Sequence, residues 1–115
     1  MTWIAERYSE YRIMWLLVFF DMPTETKQQR KAYATFRKQL LCDGFTMFQF
    51  SVYIRNCQSG ESADVHRKRV ENIIPQWGKI GILTVTDKQF GQMKIIEGTK
   101  HVSSTAPTAV QLEFF

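Results

Sequence analysis

Cysteine and histidine are scarce in this chain, and their scarcity removes whole classes of chemistry. The 115 residues hold two cysteines, Cys42 and Cys57, and two histidines, His66 and His101. Two unclustered cysteines provide neither a secreted disulfide framework nor a zinc site, so a reducing cytoplasm is the expected setting. Two histidines far apart in sequence argue against a histidine-built metal centre and against a Ser-His-Asp triad. Long apolar runs are also lacking. The longest, Ile13 to Phe20, falls well short of the ~18–20 residues that span a bilayer. The first residues, MTWIAERYSE, carry charges of both signs and no apolar core of a secretory signal. A soluble protein is expected. No glycine-rich loop of either standard phosphate-binding spacing occurs.

The material that is present suits one compact domain. Hydrophobic residues make up 44% and aromatics 14% of the chain, and a domain of this length buries roughly two thirds of its unfolded surface without needing staples. The formal net charge is +4, on the side of neutral that favours nucleic acid. A symmetric homodimer would double that charge and could merge two basic faces into one patch.

Tyr11 to Phe20 reads as a strand buried on both faces, because it is a continuous apolar run rather than an alternation. Pro23 and Thr24 mark a turn, with Thr24 or Thr26 as the cap of the next helix; from Thr26, Gln29 completes a capping box. That helix runs through Leu41. Tyr33, Phe36 and Leu40 share its apolar face, while Lys27, Arg30, Lys31, Arg37 and Lys38 project from the far side. Asp43-Gly44 stops it.

FTMFQFSVYIR, residues 45–55, is too β-prone for a helix and forms two short strands or one strand with an irregularity near Gln49 to Ser51. After the loop NCQSGES, Ser62 caps a second helix, whose Ala63, Val70, Ile73 and Ile74 share a face before Pro75. Gly78 to Thr86 is a further strand, Asp87 to Gln92 turns the chain, and Met93 to Glu97 is a short last strand. Residues 99–109 have linker composition. VQLEFF regains alternation, with Val110, Leu112 and Phe114 on one side.

This order predicts an α+β domain over residues 1–98 with the ferredoxin-like split βαβ arrangement, βαββαβ plus a short extra strand. Its two helices cover one sheet face, and dimerisation is the usual cover for the open face and edges. Residues 99–115 are expected to form a linker and a C-terminal strand that binds a partner or folds back on its own dimer.

Asp21 is the first candidate for chemistry. A carboxylate at the end of a buried strand is rigidly held and open to solvent, and can ligate a hard cation such as magnesium. It would serve equally as a helix cap, and one aspartate is not a metal site unless a two-fold axis supplies a second. The five-cation helix face would contact phosphates through counterion release, or simply be solvated. Gly44 to Tyr53 bears some likeness to the glycine-aromatic motif of RNA-recognition modules, but follows the first helix directly, one strand too early, so its aromatics read as core or dimer interface. Cys42 reads as inert packing near a helix end, and His66 as a surface residue.

Several segments together resemble a known family. A first strand ending VFFDMPT, a basic helix ending DGF, then QFSVYIR and GILTVTDKQF, are similar to the second CRISPR-associated protein family, Cas-two, in its type II versions, over residues ~11–97 as one split βαβ domain. The resemblance implies a homodimer that bridges two dimers of the Cas-one integrase in spacer acquisition, where the integrase performs strand transfer and Cas-two helps hold duplex spacer DNA. It also implies a magnesium-dependent endonuclease acting on RNA or double-stranded DNA, dispensable for acquisition, with Asp21 as the metal-binding, catalytic residue and its partner supplied by the other subunit. The scaffold role is the favoured biological reading. The alternative is a non-catalytic, RNA-recognition-like module for single strands, with stacking aromatics exposed on the open sheet face.

Overall fold

The structure, a computed structural model, describes residues 12–98 and 101–103. Strand β1 (Met14–Asp21) is followed by helix α1 (Lys27–Cys42), strands β2 (Thr46–Gln49) and β3 (Val52–Cys57), and helix α2 (Gly60–Glu71). Strand β4 (Lys79–Thr86) and a short helix α3 (Asp87–Gly91) come next. Strands β5 (Ile95–Glu97) and β6 (His101–Ser103) close the described part.

The main sheet has the order β2-β3-β1-β4, and each neighbouring pair is antiparallel. This α+β arrangement is compatible with a ferredoxin-like fold. The apolar run lands in the centre because β1 is flanked on both sides, by β3 and β4. Its alternate residues feed two separate cores. Leu16, Val18 and Phe20 pack under α1 and α2 against Phe36, Leu40, Ala63 and Val70. Trp15 and Leu17 point to the opposite face, against Ile54 and Phe90. Each fully buried large side chain contributes roughly 1.5–3 kcal/mol. Ring geometry adds to this: Phe20 meets Phe36 edge-on at 5.3 Å between centroids, and Trp15 stacks on Phe90 at 4.0 Å.

Local signals explain most of the boundaries. Thr26 caps α1: the Gln29 backbone N–H donates to Thr26 Oγ1 at 3.1 Å, and Gln29 Oε1 accepts from the Thr26 N–H at 3.1 Å. Gly44, at φ 91°, takes the left-handed conformation that ends the helix. Residues 45–55 do divide into two strands, with a register shift between Met47 and Gln49. Phe45 and Tyr53 are buried in the core, whereas Phe50 is 82% exposed at the turn.

Other expectations are corrected. The first strand starts at Met14 rather than Tyr11. It is covered on both faces only in its first half, since Phe19 is 40% exposed. Helix α2 is capped by Ser59, whose Oγ accepts from the Ser62 N–H at 3.0 Å, so Ser62 lies inside the first turn. That helix ends at Glu71, leaving Ile73 and Ile74 beyond it. Asp87 to Gly91 is a helix, not a plain turn, started by a second capping box between Thr86 and Gln89. It lies over the far face of the sheet, held by Trp15 Nε1 donating to Asp87 Oδ1 at 2.7 Å. The short last strand spans only Ile95–Glu97 and pairs with β6, apart from the main sheet; β6 falls within the stretch of linker composition. Cys42 is exposed, and the buried thiol is Cys57, where burial pushes the pKa up.

His66 is also not a surface residue. Its Nδ1 lies 2.8 Å from Asp43 Oδ2, and both side chains are mostly buried. Arg69 Nη1 donates to Asp43 Oδ1 at 2.9 Å, and Arg55 Nε donates to the Asp43 carbonyl at 2.7 Å. The end of α1 is thereby tied to both α2 and β3.

Candidate metal and nucleic-acid site

Strand alternation decides where Asp21 points. It shares a face with Trp15, Leu17 and Phe19, the face that α3 covers at one end. At the other end, among the described residues, the strip is about half-exposed: Phe19 is 40% and Leu83 49% exposed, and Gly81 pairs opposite Phe19. Asp21 is the last residue of β1, exposed, and sits opposite Lys79 in the β1–β4 register.

The capping explanation of Asp21 fails. Thr26 does that work, five residues on, and among the described residues no hydrogen bond or ion pair engages the Asp21 carboxylate. Its backbone is nonetheless held firmly. Gly78, at φ +103°, passes so close that a Cβ there would stand 2.8 Å from the Asp21 carbonyl oxygen. On the other flank, the Phe20 N–H donates to the Ser51 carbonyl at 3.0 Å, and Ser51 occupies the left-handed region at φ 69°.

Asp21, Phe19, Ser51, Lys79 and Gly81 line one open cleft of about 380 Å³. Lys79 and Ser51 were not singled out by sequence. Lys79 shares the Asp21 face through cross-strand pairing, a relation that no local pattern carries.

The donor set sets a limit on metal binding. Among the described residues no group of three or more His, Cys, Asp or Glu side chains converges, so one chain offers a single hard oxygen ligand here. A carboxylate from a second copy brings the set to the one or two that magnesium commonly takes, with water filling the remainder. One chain alone therefore offers too few ligands for the ion, and a second carboxylate would be needed to complete the set.

The predicted basic face is intact. Lys27, Arg30, Lys31, Arg37 and Lys38 are all exposed on α1. Lys27, Lys31 and Lys38 follow one stripe, and Arg30 and Arg37 the neighbouring one. Arg30 is partly committed, because its Nη1 donates to the carbonyls of Thr24 at 3.2 Å and Glu25 at 3.0 Å. Helix α1 contains no acidic residue. Its five cations exceed the net charge of +4 for the whole chain, so the positive field is concentrated on this helix. Asp21 and these cations belong to different surfaces, the sheet face and the helix face. Val110, Leu112 and Phe114 lie outside the described residues.

Among the described residues no helix is long and apolar enough to cross a membrane.

Comparison with known proteins gives a consistent result. The profile of a family described as CRISPR associated protein Cas2 matches residues 14–93. A protein of Flavobacterium psychrophilum named CRISPR-associated endoribonuclease Cas2 is 55% identical over 109 residues, covering 95% of this chain and 94% of its own length. Proteins of the same name from Parvibaculum lavamentivorans and Ligilactobacillus salivarius are similar too. The first is 51% identical over 100 residues, covering 86% of this chain and 99% of its own length. The second is 42% identical over 87 residues, covering 76% and 86% respectively. The stretch matched by the profile includes every element that carries Asp21, Lys79 and the basic helix.

Proposed function

The chain belongs to the CRISPR-associated protein Cas2 family, and on that premise we propose that it works as a homodimer that binds duplex DNA on its basic helices and bridges integrase dimers during spacer acquisition. It also carries a magnesium-dependent endonuclease site built from two Asp21 carboxylates. The observation that carries this reading is the placement of Asp21: unengaged, backbone-fixed, and at the rim of a half-exposed apolar strip on the sheet.

An exposed strip formed by Phe19, Gly81 and Leu83 is favourably covered by a second copy of itself, since a two-fold contact sets the same patch against itself. Such a contact brings the two Asp21 residues to one axis. There the carboxylates supply hard oxygen donors. Lys79, on the facing strand, supplies positive charge toward a phosphate. Magnesium, when bound, supplies Lewis acidity toward the phosphodiester. The basic stripe of α1 holds the nucleic-acid backbone through its phosphates, without reading sequence. The relatives named as endoribonucleases support the hydrolytic half of this reading, and the concentration of charge on α1 supports the scaffold half.

The test compares wild type with Asp21→Ala for cleavage of RNA and duplex DNA, with and without magnesium, and for spacer acquisition in cells with the integrase. Loss of magnesium-dependent cleavage with acquisition retained is the expected result. Equal cleavage by both proteins would assign the activity elsewhere, and acquisition that proceeds without this protein would end the scaffold role.

A further inference from the structure

A second concave feature lies away from the sheet face. Between α1 and the segment that follows α2, a groove of about 340 Å³ is lined by Gln28, Lys31, Phe36, Gln39, Gln76 and Trp77. That volume falls at the small end of the ~300–1,000 Å³ typical of ligand clefts. Its floor is apolar, with Phe36 buried beneath it, and Trp77 is half-buried in its wall.

We propose that this groove receives an unpaired base of a single-stranded nucleic acid, whose phosphate is held by Lys31. The inference rests on the nucleic-acid reading above and adds to it a subsite for single strands.

Three observations select this occupant. The first is chemical: an indole offers a flat π surface, and base–aromatic stacking is the common device by which proteins hold single strands of any sequence. The second is the rim. Gln28, Gln39 and Gln76 each carry both a donor and an acceptor, so they can meet the edge of any base, and no carboxylate lines the groove to repel a phosphate. The third is continuity. Lys31 lines the groove and also belongs to the stripe with Lys27 and Lys38, so a strand that follows those cations passes the groove mouth. A base within a duplex is stacked on its neighbours and cannot enter, whereas a splayed one can. Pro75, also in the lining, fixes its own φ and stiffens the segment that carries Trp77.

The test titrates wild type, Trp77→Ala and Trp77→Phe against labelled oligouridylate, oligothymidylate, an abasic strand of equal length and a blunt duplex, read by fluorescence anisotropy. Trp77→Ala is expected to bind both single strands about tenfold more weakly, and Trp77→Phe to retain most of the affinity. Binding of duplex and abasic strand should change little. A loss confined to oligouridylate or to oligothymidylate supports the groove and identifies RNA or DNA as its source. Equal losses on all four probes, or no loss on either single strand, overturn the proposal.

In wild type, irradiation with an iodouridine-containing strand is expected to crosslink the peptide holding Trp77; crosslinks found only elsewhere overturn it independently of any variant. If Trp77 instead meets a second copy of the chain, Trp77→Ala shifts the sedimentation profile and leaves oligonucleotide affinity unchanged, which also refutes it. Wild type that cleaves RNA and binds duplex while Trp77→Ala behaves identically removes this inference alone. Wild type that binds none of the probes removes the proposed function with it.

Discussion

Asp43 shows how much one side chain at a helix end can hold. Burial alone would raise its pKa, but hydrogen bonds from His66 and Arg69, with their charge, outweigh that effect and hold it below the ordinary value of 3.8. A carboxyl with a lower pKa in the folded state stabilises the fold above its unfolded pKa, and that contribution is lost as pH falls through the folded value. Asp43→Asn is therefore expected to lose roughly 1.5–3 kcal/mol at neutral pH, the range for hydrogen bonds to a charged group, and to show a flatter acid limb below about pH 4. Urea unfolding across that range measures both; parallel acid limbs for the two proteins would refute the assignment. Gly78 makes a different kind of demand. At φ +103°, with a Cβ placed 2.8 Å from both the Asp21 carbonyl and Met22 Cγ, Gly78→Ala is expected to destabilise by about 1–3 kcal/mol. Because the clash falls on the backbone of Asp21, the proposed magnesium-dependent cleavage should fall in the fraction that still folds. Thermal melting and a cleavage assay on the same sample check this, and an unchanged melting temperature would show that the loop gives way freely.

Helix α1 divides its labour between a buried face and a basic one, and the two can be separated experimentally. The double variant Lys31→Glu and Lys38→Glu is expected to weaken duplex binding on all sequences alike. The slope of log affinity against log salt should flatten by about 2, close to one unit for each lost phosphate contact. Loss on some sequences and not others would mean that these side chains read bases. The elements also show which signals a sequence carries. Helix α1 was legible because a capping box, an amphipathic period and a left-handed glycine all agree over sixteen residues. Helix α2 was misplaced at its start because Ser59 and Ser62 both satisfy the capping preference, and only the fold chooses between them. Helix α3, with five residues, is too short to show a period. Its one local sign was the spacing of Thr86 and Gln89, which repeats that of Thr26 and Gln29. Asp21 could be picked out as a carboxylate closing an apolar strand. Lys79 and Ser51 could not, because their nearness to Asp21 follows from pairing between distant strands. His66 was misread because its partner, Asp43, lies on another element.

At the scale of the molecule, the described residues seal one sheet face with α1 and α2 and cover the other only halfway, with α3. The proposed dimer uses the unsealed half. Phe19→Asp places a charge in the middle of that strip and is expected to give a monomer by sedimentation equilibrium. The proposed magnesium-dependent cleavage should disappear with the proposed dimer, although Asp21 itself is unchanged. Asp21→Ala should have the opposite profile, an intact dimer without cleavage. A monomeric Phe19→Asp protein that still cleaves would show that one carboxylate suffices. The position of β1 in the sheet also governs the order in which the molecule can be built. Its register with β4 joins Met14 to Thr86 and Asp21 to Lys79, a long loop to close before those contacts stabilise anything. During synthesis the most apolar strand leaves the ribosome before either of its neighbours and keeps an unpaired edge until β4, Lys79–Thr86, has followed it. The carboxylate is thus among the first parts of the site to be made, and the strand that fixes its surroundings is among the last.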